Sequence, residues 1–386
     1  MPNERAFYIY TSQVFTEDAV LQDHYVRITD GLISEITSTP QGEIKVYDYS
    51  GFSLIPGLID LHIHGREGCD VMDGKMESIH TISNSLSQYG VTGFLATTVT
   101  STWDKTLQAF EVIGKATVEK MPGAEVLGAY NEGLFFTETH KGAHNEAFFL
   151  ELSKARIDAI FNASNQSLKV MAMAPEFADS MEQITYLNSL GVKVMLGHTN
   201  ASYECANQAL QAGAAGGVHI FNGMSGIHHR DPGCAGAVLM DTTAVAEVIA
   251  DGVHLHPNIL QLIYRLKGPE KIALISDCIC AGGFPDGTYQ LGELSVEVKA
   301  GVARTKQGSL AGSTLTLNNG IRNMHELGQV PMHESVNMAS IVPAKHIGVD
   351  STLGSITVGK RANLAIVNAS LAVKCTMIDG VFVYQR

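Results

Sequence analysis

Hydrophobic positions in this chain change rhythm twice. Between residues 5 and 50, short apolar runs such as Phe7-Tyr8-Ile9-Tyr10 and Tyr25-Val26-Arg27-Ile28 sit among polar residues. Asp30-Gly31 is a hairpin-type turn before Leu32-Ile33. Short β-rich runs bounded by such turns predict strands. Residues 354–386 have the same texture, with Asn363-Leu364-Ala365-Ile366-Val367, Val373-Lys374-Cys375-Thr376-Met377-Ile378 and, after Asp379-Gly380, Val381-Phe382-Val383. The two ends therefore predict one small β-sandwich domain, residues 1–54 with 352–386. Between them, apolar runs of strand length alternate with helical stretches at 75–89, 102–120, 180–190, 202–212 and 257–266. The strands end near His64, Thr98, Glu132, Pro175, His198, His219, Asp251 and Asp277. Eight alternations predict an α/β fold, a parallel (β/α)8 TIM-type barrel over residues 55–351.

The strand ends carry the chemistry. Pro56-Gly57-Leu58-Ile59-Asp60-Leu61-His62-Ile63-His64-Gly65 reads as a buried strand closing in two histidines. Side chains alternate along a strand, so His62 and His64 face the same side. The third strand ends in Glu132, the fifth in His198, the sixth in His219 and the eighth in Asp277. C-terminal strand ends of such a barrel converge on one site. Four histidines and two carboxylates in one pocket form a nitrogen and oxygen donor set. It suits Zn, Fe, Mn, Ni or Co, and the residue types do not choose among them. Six donors exceed one tetrahedral site. They hold either two ions bridged by Glu132, or one ion with the remaining residues behind it. A cation so held brings the pKa of water to about 7. Asp277 is then the natural general base, a ligand, or both.

Bulk properties narrow the partners. The chain has 386 residues, 45% of them hydrophobic, and a net charge of −13. A surface this acidic argues against nucleic acid. An anionic small substrate would need a local cationic pocket. No apolar run approaches the roughly 20 residues a membrane-spanning helix needs. The six cysteines are scattered without a CxxC pair, and Cys278 and Cys280 read as buried packing residues. Met1-Pro2-Asn3-Glu4-Arg5 lacks a basic-then-apolar leader pattern. Together these predict a cytoplasmic protein with reduced thiols.

The longer motifs resemble the amidohydrolase superfamily and, within it, the N-acetylglucosamine-6-phosphate deacetylases. Supporting strings are Pro56 to Asp60 with the following His-x-His, Glu132-Gly133, and Lys141-Gly142-Ala143-His144. Others are His198-Thr199-Asn200-Ala201, His219-Ile220-Phe221-Asn222-Gly223-Met224, Asp231-Pro232-Gly233 and Ala250-Asp251-Gly252-Val253-His254. Pro285-Asp286-Gly287-Thr288-Tyr289 and Gly308-Ser309-Leu310-Ala311-Gly312-Ser313 complete the set. The resemblance implies metal-dependent removal of an N-acetyl group from an amino-sugar phosphate, giving acetate and glucosamine 6-phosphate. It implies Glu132, His198 and His219 around the main metal, with His62 and His64 available for a second. It further implies Asp277 as catalytic base, His144 polarising the acetyl carbonyl, and a phosphate pocket from Asn222, Gly223, Arg230 and His254. A homodimer is implied too, with the neighbouring subunit contributing to that pocket.

One segment departs from the family pattern. Where the family reads His-Leu-Glu-Gly-Pro, this chain has Tyr130-Asn131-Glu132-Gly133-Leu134. The change frees the backbone after Glu132 and alters the hydrogen bonding behind the metal donors. It bears on metal identity, metal count and the preferred sugar epimer. N-acetylgalactosamine-6-phosphate deacetylation is the close alternative, and a catalytically weak sugar-phosphate binder a more distant one. Hydantoinases and dihydroorotases share the barrel but place a carboxylated lysine at the end of the fourth strand. Here that strand ends Met173-Ala174-Pro175-Glu176, with Lys169 at its start.

Overall fold

The computed structural model describes residues 6–386. Met1–Arg5, which carried the expectation about a leader pattern, lie outside the described residues. Eight parallel strands form one sheet. In chain order they are β1 (Leu58–Ile63), β2 (Val91–Thr98), β3 (Glu125–Asn131), β4 (Leu168–Met173), β5 (Lys193–Leu196), β6 (Gly216–Gly217), β7 (Val245–Val248) and β8 (Ile272–Leu274). Neighbours in sequence are neighbours in the sheet. The barrel closes just past β8, where Asp277 N–H donates to His62 C=O and His64 N–H to Cys278 C=O, both at 2.9 Å. Asp60 staples the same seam, its Oδ1 accepting from Ser276 N–H at 3.1 Å and His62 N–H at 3.3 Å.

Period-two alternation sorts the strand residues into two cores. Val170 and Ala172 join a cluster drawn mainly from strands, with Ile59, Leu95 and Met195. Met171 and Met173 join the layer between strands and helices, with Ile79, Phe110 and Ile184. The expected helices are present at Met76–Ser87, Trp103–Ala116, Ser180–Ser189, Tyr203–Gln211 and Pro257–Lys267. Two of these starts are capped by hydroxyls, Thr102 accepting from Lys105 N–H and Ser202 from Cys205 N–H. Helices at Lys154–Ala163, Gly233–Met240 and Leu317–Glu326 complete the alternation. No described helix is long and apolar enough to cross a membrane.

The chain ends combine as expected, in one continuous seven-stranded sheet. Val46–Pro56 pairs parallel with Ala6–Phe15 on one side and antiparallel with Leu364–Val367 on the other. Ile9, Val26, Leu364 and Met377 share its core. Gly57 then leads directly into β1. A Cβ there would sit 2.2 Å from Thr92 Oγ1, so only glycine lets the sheet run this close to the barrel. A further three-stranded sheet, Gly287–Leu291, Leu294–Lys299 and Val302–Thr305, is inserted after β8. All six cysteines are free.

A recess of about 600 Å³ opens where β5, β7 and β8 begin, lined by Lys193, Lys271, His333 and His346 among others. His346 is buried, and its Nε2 has no partner among the described residues. Burial first, then the nearby Lys193 and Lys271, lower its pKa to about 4. The unfolded chain therefore binds this proton more readily than the folded one, and the associated stability is lost as pH falls from 6.5 towards 4. Between pH 7 and pH 5 the loss amounts to about 2 kcal/mol. Denaturant titrations of the wild type and His346→Leu at both pH values should show a smaller acid-induced loss in the variant.

Candidate metal centre

Three of the strand-end residues have left-handed backbones: His198 at φ +47°, His219 at +26° and Asp277 at +50°. Side chains other than glycine rarely adopt this region, and such strain gathers at functional sites. Here it accompanies strands shorter than the sequence pattern suggested. β5 stops at Leu196 and β6 at Gly217, and the chain turns before each histidine. Gly223 is fitted to the same place. It sits at φ +59°, and a Cβ would lie 2.7 Å from His198 Nδ1.

Glu132, directly after β3, is the centre of the arrangement. It is 2% exposed. His219 Nε2 lies 2.9 Å and His198 Nε2 3.2 Å from its Oε1. His64 Nε2 lies 3.1 Å and His62 Nε2 3.3 Å from its Oε2, with His144 Nε2 at 3.7 Å. Asp277 Oδ1 adds a second carboxylate, 3.2 Å from His64 Nε2 and 3.6 Å from His62 Nε2. Two triads could each hold a cation, His62–His64–Glu132 and Glu132–His198–His219. Glu132 belongs to both.

The outer nitrogens show that the donors fit such an ion. His198 Nδ1 lies 3.1 Å from His140 C=O, His219 Nδ1 3.1 Å from Asn222 C=O, and His64 Nδ1 3.3 Å from Thr97 C=O. A carbonyl only accepts. Nδ1 must carry the hydrogen, and Nε2 is left with its lone pair towards Glu132. His144 is different, because its Nδ1 lies 2.7 Å from the Thr100 hydroxyl. Thr100 Oγ1 also accepts from Leu134 N–H at 3.2 Å and, unlike a carbonyl, has a proton of its own that it can donate to His144 Nδ1. With Thr100 donating, His144 carries its hydrogen on Nε2, the arrangement that the donor role implied by the resemblance requires. The Leu134 N–H in this bond is one a proline would lack, and Leu134 sits at φ +70°, which a proline ring forbids.

Without an ion, protons balance the buried carboxylates. Burial disfavours the charged form of His64, but hydrogen bonds to Asp277 and Glu132 outweigh it and raise its pKa to about 9. Burial opposes charge on His62 as well, and the Glu132 charge overrides it, so His62 also rises well above its ordinary value. Glu132 moves the other way: His62, His198 and His219 overcome burial and hold it well below the usual carboxylate range. Burial, reinforced by His198, keeps His144 well below the ordinary imidazole value and therefore neutral.

All of these groups except His62 line a cavity of about 240 Å³, together with Asn222, Gly223 and His254. His254 Nδ1 is held at 2.6 Å by Asp251 Oδ2, leaving Nε2 as its other polar atom. Gly223 N–H has no acceptor among the described residues, whereas the Asn222 side-chain amide donates to His219 C=O and Ile220 C=O. Arg230 is not brought to this cavity. It is exposed on the loop after His219, 2.6 Å from His229 Nε2. Within one chain it does not line this cavity, and it stands in the turn bridged by His228 and Asp231. Two contributors escaped the sequence pattern. Thr100 looked like an ordinary loop residue. Glu247 is a carboxylate inside an apolar strand, a signal that could have been noticed; it lies 3.3 Å from His62 Nδ1.

The chain belongs to the amidohydrolase family, which it matches over residues 53–383. Members of that family are generally divalent-metal-dependent hydrolases, and the Glu132 triads supply groups that could hold such ions. Among named relatives, the chain is 44% identical to the N-acetylglucosamine-6-phosphate deacetylase of Vibrio furnissii, over 94% of this chain and 92% of that protein. It is 41% identical to the N-acetylgalactosamine-6-phosphate deacetylase of Escherichia coli O157:H7, over 95% and 97%. Its fold superposes with a TM-score of 0.94 on a Mycobacterium smegmatis N-acetyl-D-glucosamine-6-phosphate deacetylase variant solved with N-acetyl-D-glucosamine-6-phosphate. That match has 27% identity and covers 98% of this chain and 100% of the other. The resemblance carried by the motifs is borne out.

Because Glu132 serves both triads, Glu132→Gln should abolish cation uptake altogether, whereas His198→Asn should impair one triad. Elemental analysis after dialysis separates the two results. Uptake must also displace the protons on His62 and His64, so apparent affinity should rise with pH up to about 9, the pKa of His64.

Proposed function

We propose that this chain hydrolyses N-acetylglucosamine 6-phosphate to glucosamine 6-phosphate and acetate. The observation that carries this reading is the pairing of a second carboxylate and a fifth imidazole beside the Glu132 triads. Asp277 Oδ1 lies 3.2 Å from His64 Nε2, His144 Nε2 lies 3.7 Å from Glu132 Oε2, and both residues line one cavity. His62, His64, Glu132, His198 and His219 would hold one or two divalent ions, of Zn, Fe, Ni, Mn or Co. When bound, such an ion supplies Lewis acidity towards water and the acyl oxygen.

The chain's own groups handle the protons. Asp277 is held below its ordinary pKa because hydrogen bonding to His64 and the His62 charge overcome burial. It is therefore ionised and takes a proton from the attacking water. The new C–O bond forms, the C–N bond breaks, and Asp277 returns the proton to the departing amine nitrogen. Neutral His144 donates Nε2–H to the acetyl oxygen as negative charge develops there. Gly223 N–H and His254 would receive the phosphate at the other side of the cavity.

Arg230 enters this reading through a homodimer. It is exposed beside Ile227, itself 48% exposed, on a loop that leaves its own cavity. In a dimer it would reach a neighbouring subunit's phosphate. The free cysteines fit a reducing cytoplasm. The 41% identity to an N-acetylgalactosamine-6-phosphate deacetylase keeps N-acetylgalactosamine 6-phosphate as the second substrate reading.

Acetate release from both epimeric phosphates and from unphosphorylated N-acetylglucosamine tests the proposal. The gluco phosphate should turn over fastest, and chelation should abolish activity. Asp277→Asn should reduce kcat by roughly 10²–10⁴-fold, the usual worth of a general base. Failure of all three sugars to release acetate with cations bound would defeat the reading. Arg230→Ala should raise KM by roughly 10–100-fold, matching loss of a charge-assisted bond of about 1.5–3 kcal/mol. Unchanged KM, or a monomer by sedimentation, would remove Arg230 from the pocket.

A further inference from the structure

Glu247 stands in the middle of β7 between Ala246 and Val248, and it is 0% exposed. A carboxylate in that position is costly to desolvate and needs partners. Its Oε2 has two: His62 Nδ1 at 3.3 Å and the Tyr130 hydroxyl at 3.3 Å. Its Oε1 has none among the described residues. Tyr130, on β3, also lies against the imidazole of His62, with ring centroids 4.7 Å apart. β1, β3 and β7 thus each contribute one member to a buried chain running Tyr130–Glu247–His62.

The chain ends at one triad and not the other. His64, His198 and His219 rest their Nδ1 atoms on neutral backbone carbonyls. Of the four triad histidines, His62 alone rests on a carboxylate. Its Nε2 faces Glu132 and Asp277. A carboxylate behind an imidazole fixes the ring's tautomer and orientation and strengthens its other nitrogen as a donor. Tyr130 occupies a position where the family pattern has histidine, and its hydroxyl donates to the same Oε2 that meets His62.

We propose that Glu247 and Tyr130 are positioning residues that set whether the His62–His64–Glu132 triad takes a second divalent cation. The inference rests on the reading of the two triads as cation sites, and it adds what makes the second one bind. Glu247 polarises and aims His62, while Tyr130 holds the Glu247 carboxylate in register from the neighbouring side. The His198 and His219 side chains have no hydrogen bond to either residue, so their triad is linked to them only through the shared Glu132 and the adjoining backbone.

Titration of metal-free protein with Co²⁺ tests this, following bound cobalt per chain and the visible spectrum of the bound ion. The wild type should take two equivalents. Glu247→Gln, nearly the same shape without the charge, should keep the first at wild-type affinity and weaken the second by roughly 10–100-fold. Tyr130→Phe should weaken the second in the same direction and less. A general structural role would not spare one site, so equal loss of both ions would contradict the proposal. Two ions at wild-type affinity in both variants would also overturn it. A wild type that takes a single ion at every concentration would sink the two-cation reading and the inference with it. If Glu247→Gln does not fold, Tyr130→Phe decides.

Discussion

The contact between one buried carboxylate and a ring of imidazoles governs this structure. Glu132 is removed from water, and five histidine Nε2 atoms stand within 3.7 Å of it. A lone carboxylate would not remain ionised there, since the desolvation penalty is several kcal/mol per ion. The histidines come from β1, from the ends of β5 and β6, and from the loop after β3. A closed barrel brings those segments to one mouth. Closure itself runs through the site: the backbone bonds joining the end of β1 to the stretch after β8 involve His62, His64 and Asp277. Fold and chemistry share the same hydrogen bonds.

The second organising principle is what lies behind each imidazole. Backbone carbonyls behind His64, His198 and His219 turn their inner nitrogens into lone-pair donors. A hydroxyl behind His144 can itself donate, which allows the inner nitrogen to carry a hydrogen. A carboxylate behind His62 strengthens its inner nitrogen. One side-chain type therefore fills three roles at one centre, assigned by second partners and not by the histidines themselves. The departure at Tyr130 and Leu134 belongs to this layer. Tyr130 bonds Glu247, and the Leu134 N–H bonds the Thr100 hydroxyl that orients His144.

Much of this was legible in the chain. Period-two runs ending in His62, His64, Glu132, His198, His219 and Asp277 marked the barrel and its mouth, because strand ends converge whatever the loops do. The two-ended β-unit was legible because both ends share one texture. Contributions that depend on tertiary neighbours were not legible. Thr100 acts only because Leu134 and His144 fold onto it. Glu247 lay in an apolar run whose other members are core. The three-stranded insertion after β8 has alternation too weak and turns too long to stand out. Arg230 read as a phosphate-pocket residue, but which subunit's pocket it serves was not legible; it stands at the turn of His228 and Asp231 and does not line the cavity of its own chain. The register of β6 was over-read as well: Gly216 packs so tightly that a Cβ would lie 1.9 Å from Val245 O, and the ladder stops at Gly217.

The central claim is that Glu132 is a shared hinge between two cation sites. Anomalous diffraction from crystals equilibrated with Mn²⁺ or Zn²⁺ addresses it most directly. Two peaks about 3.5–4 Å apart are expected, the spacing of two-metal hydrolytic sites. One should lie on the His198 and His219 side of the Glu132 carboxylate, the other on the His62 and His64 side. A single peak at full occupancy, or two peaks that do not both contact Glu132, would contradict it.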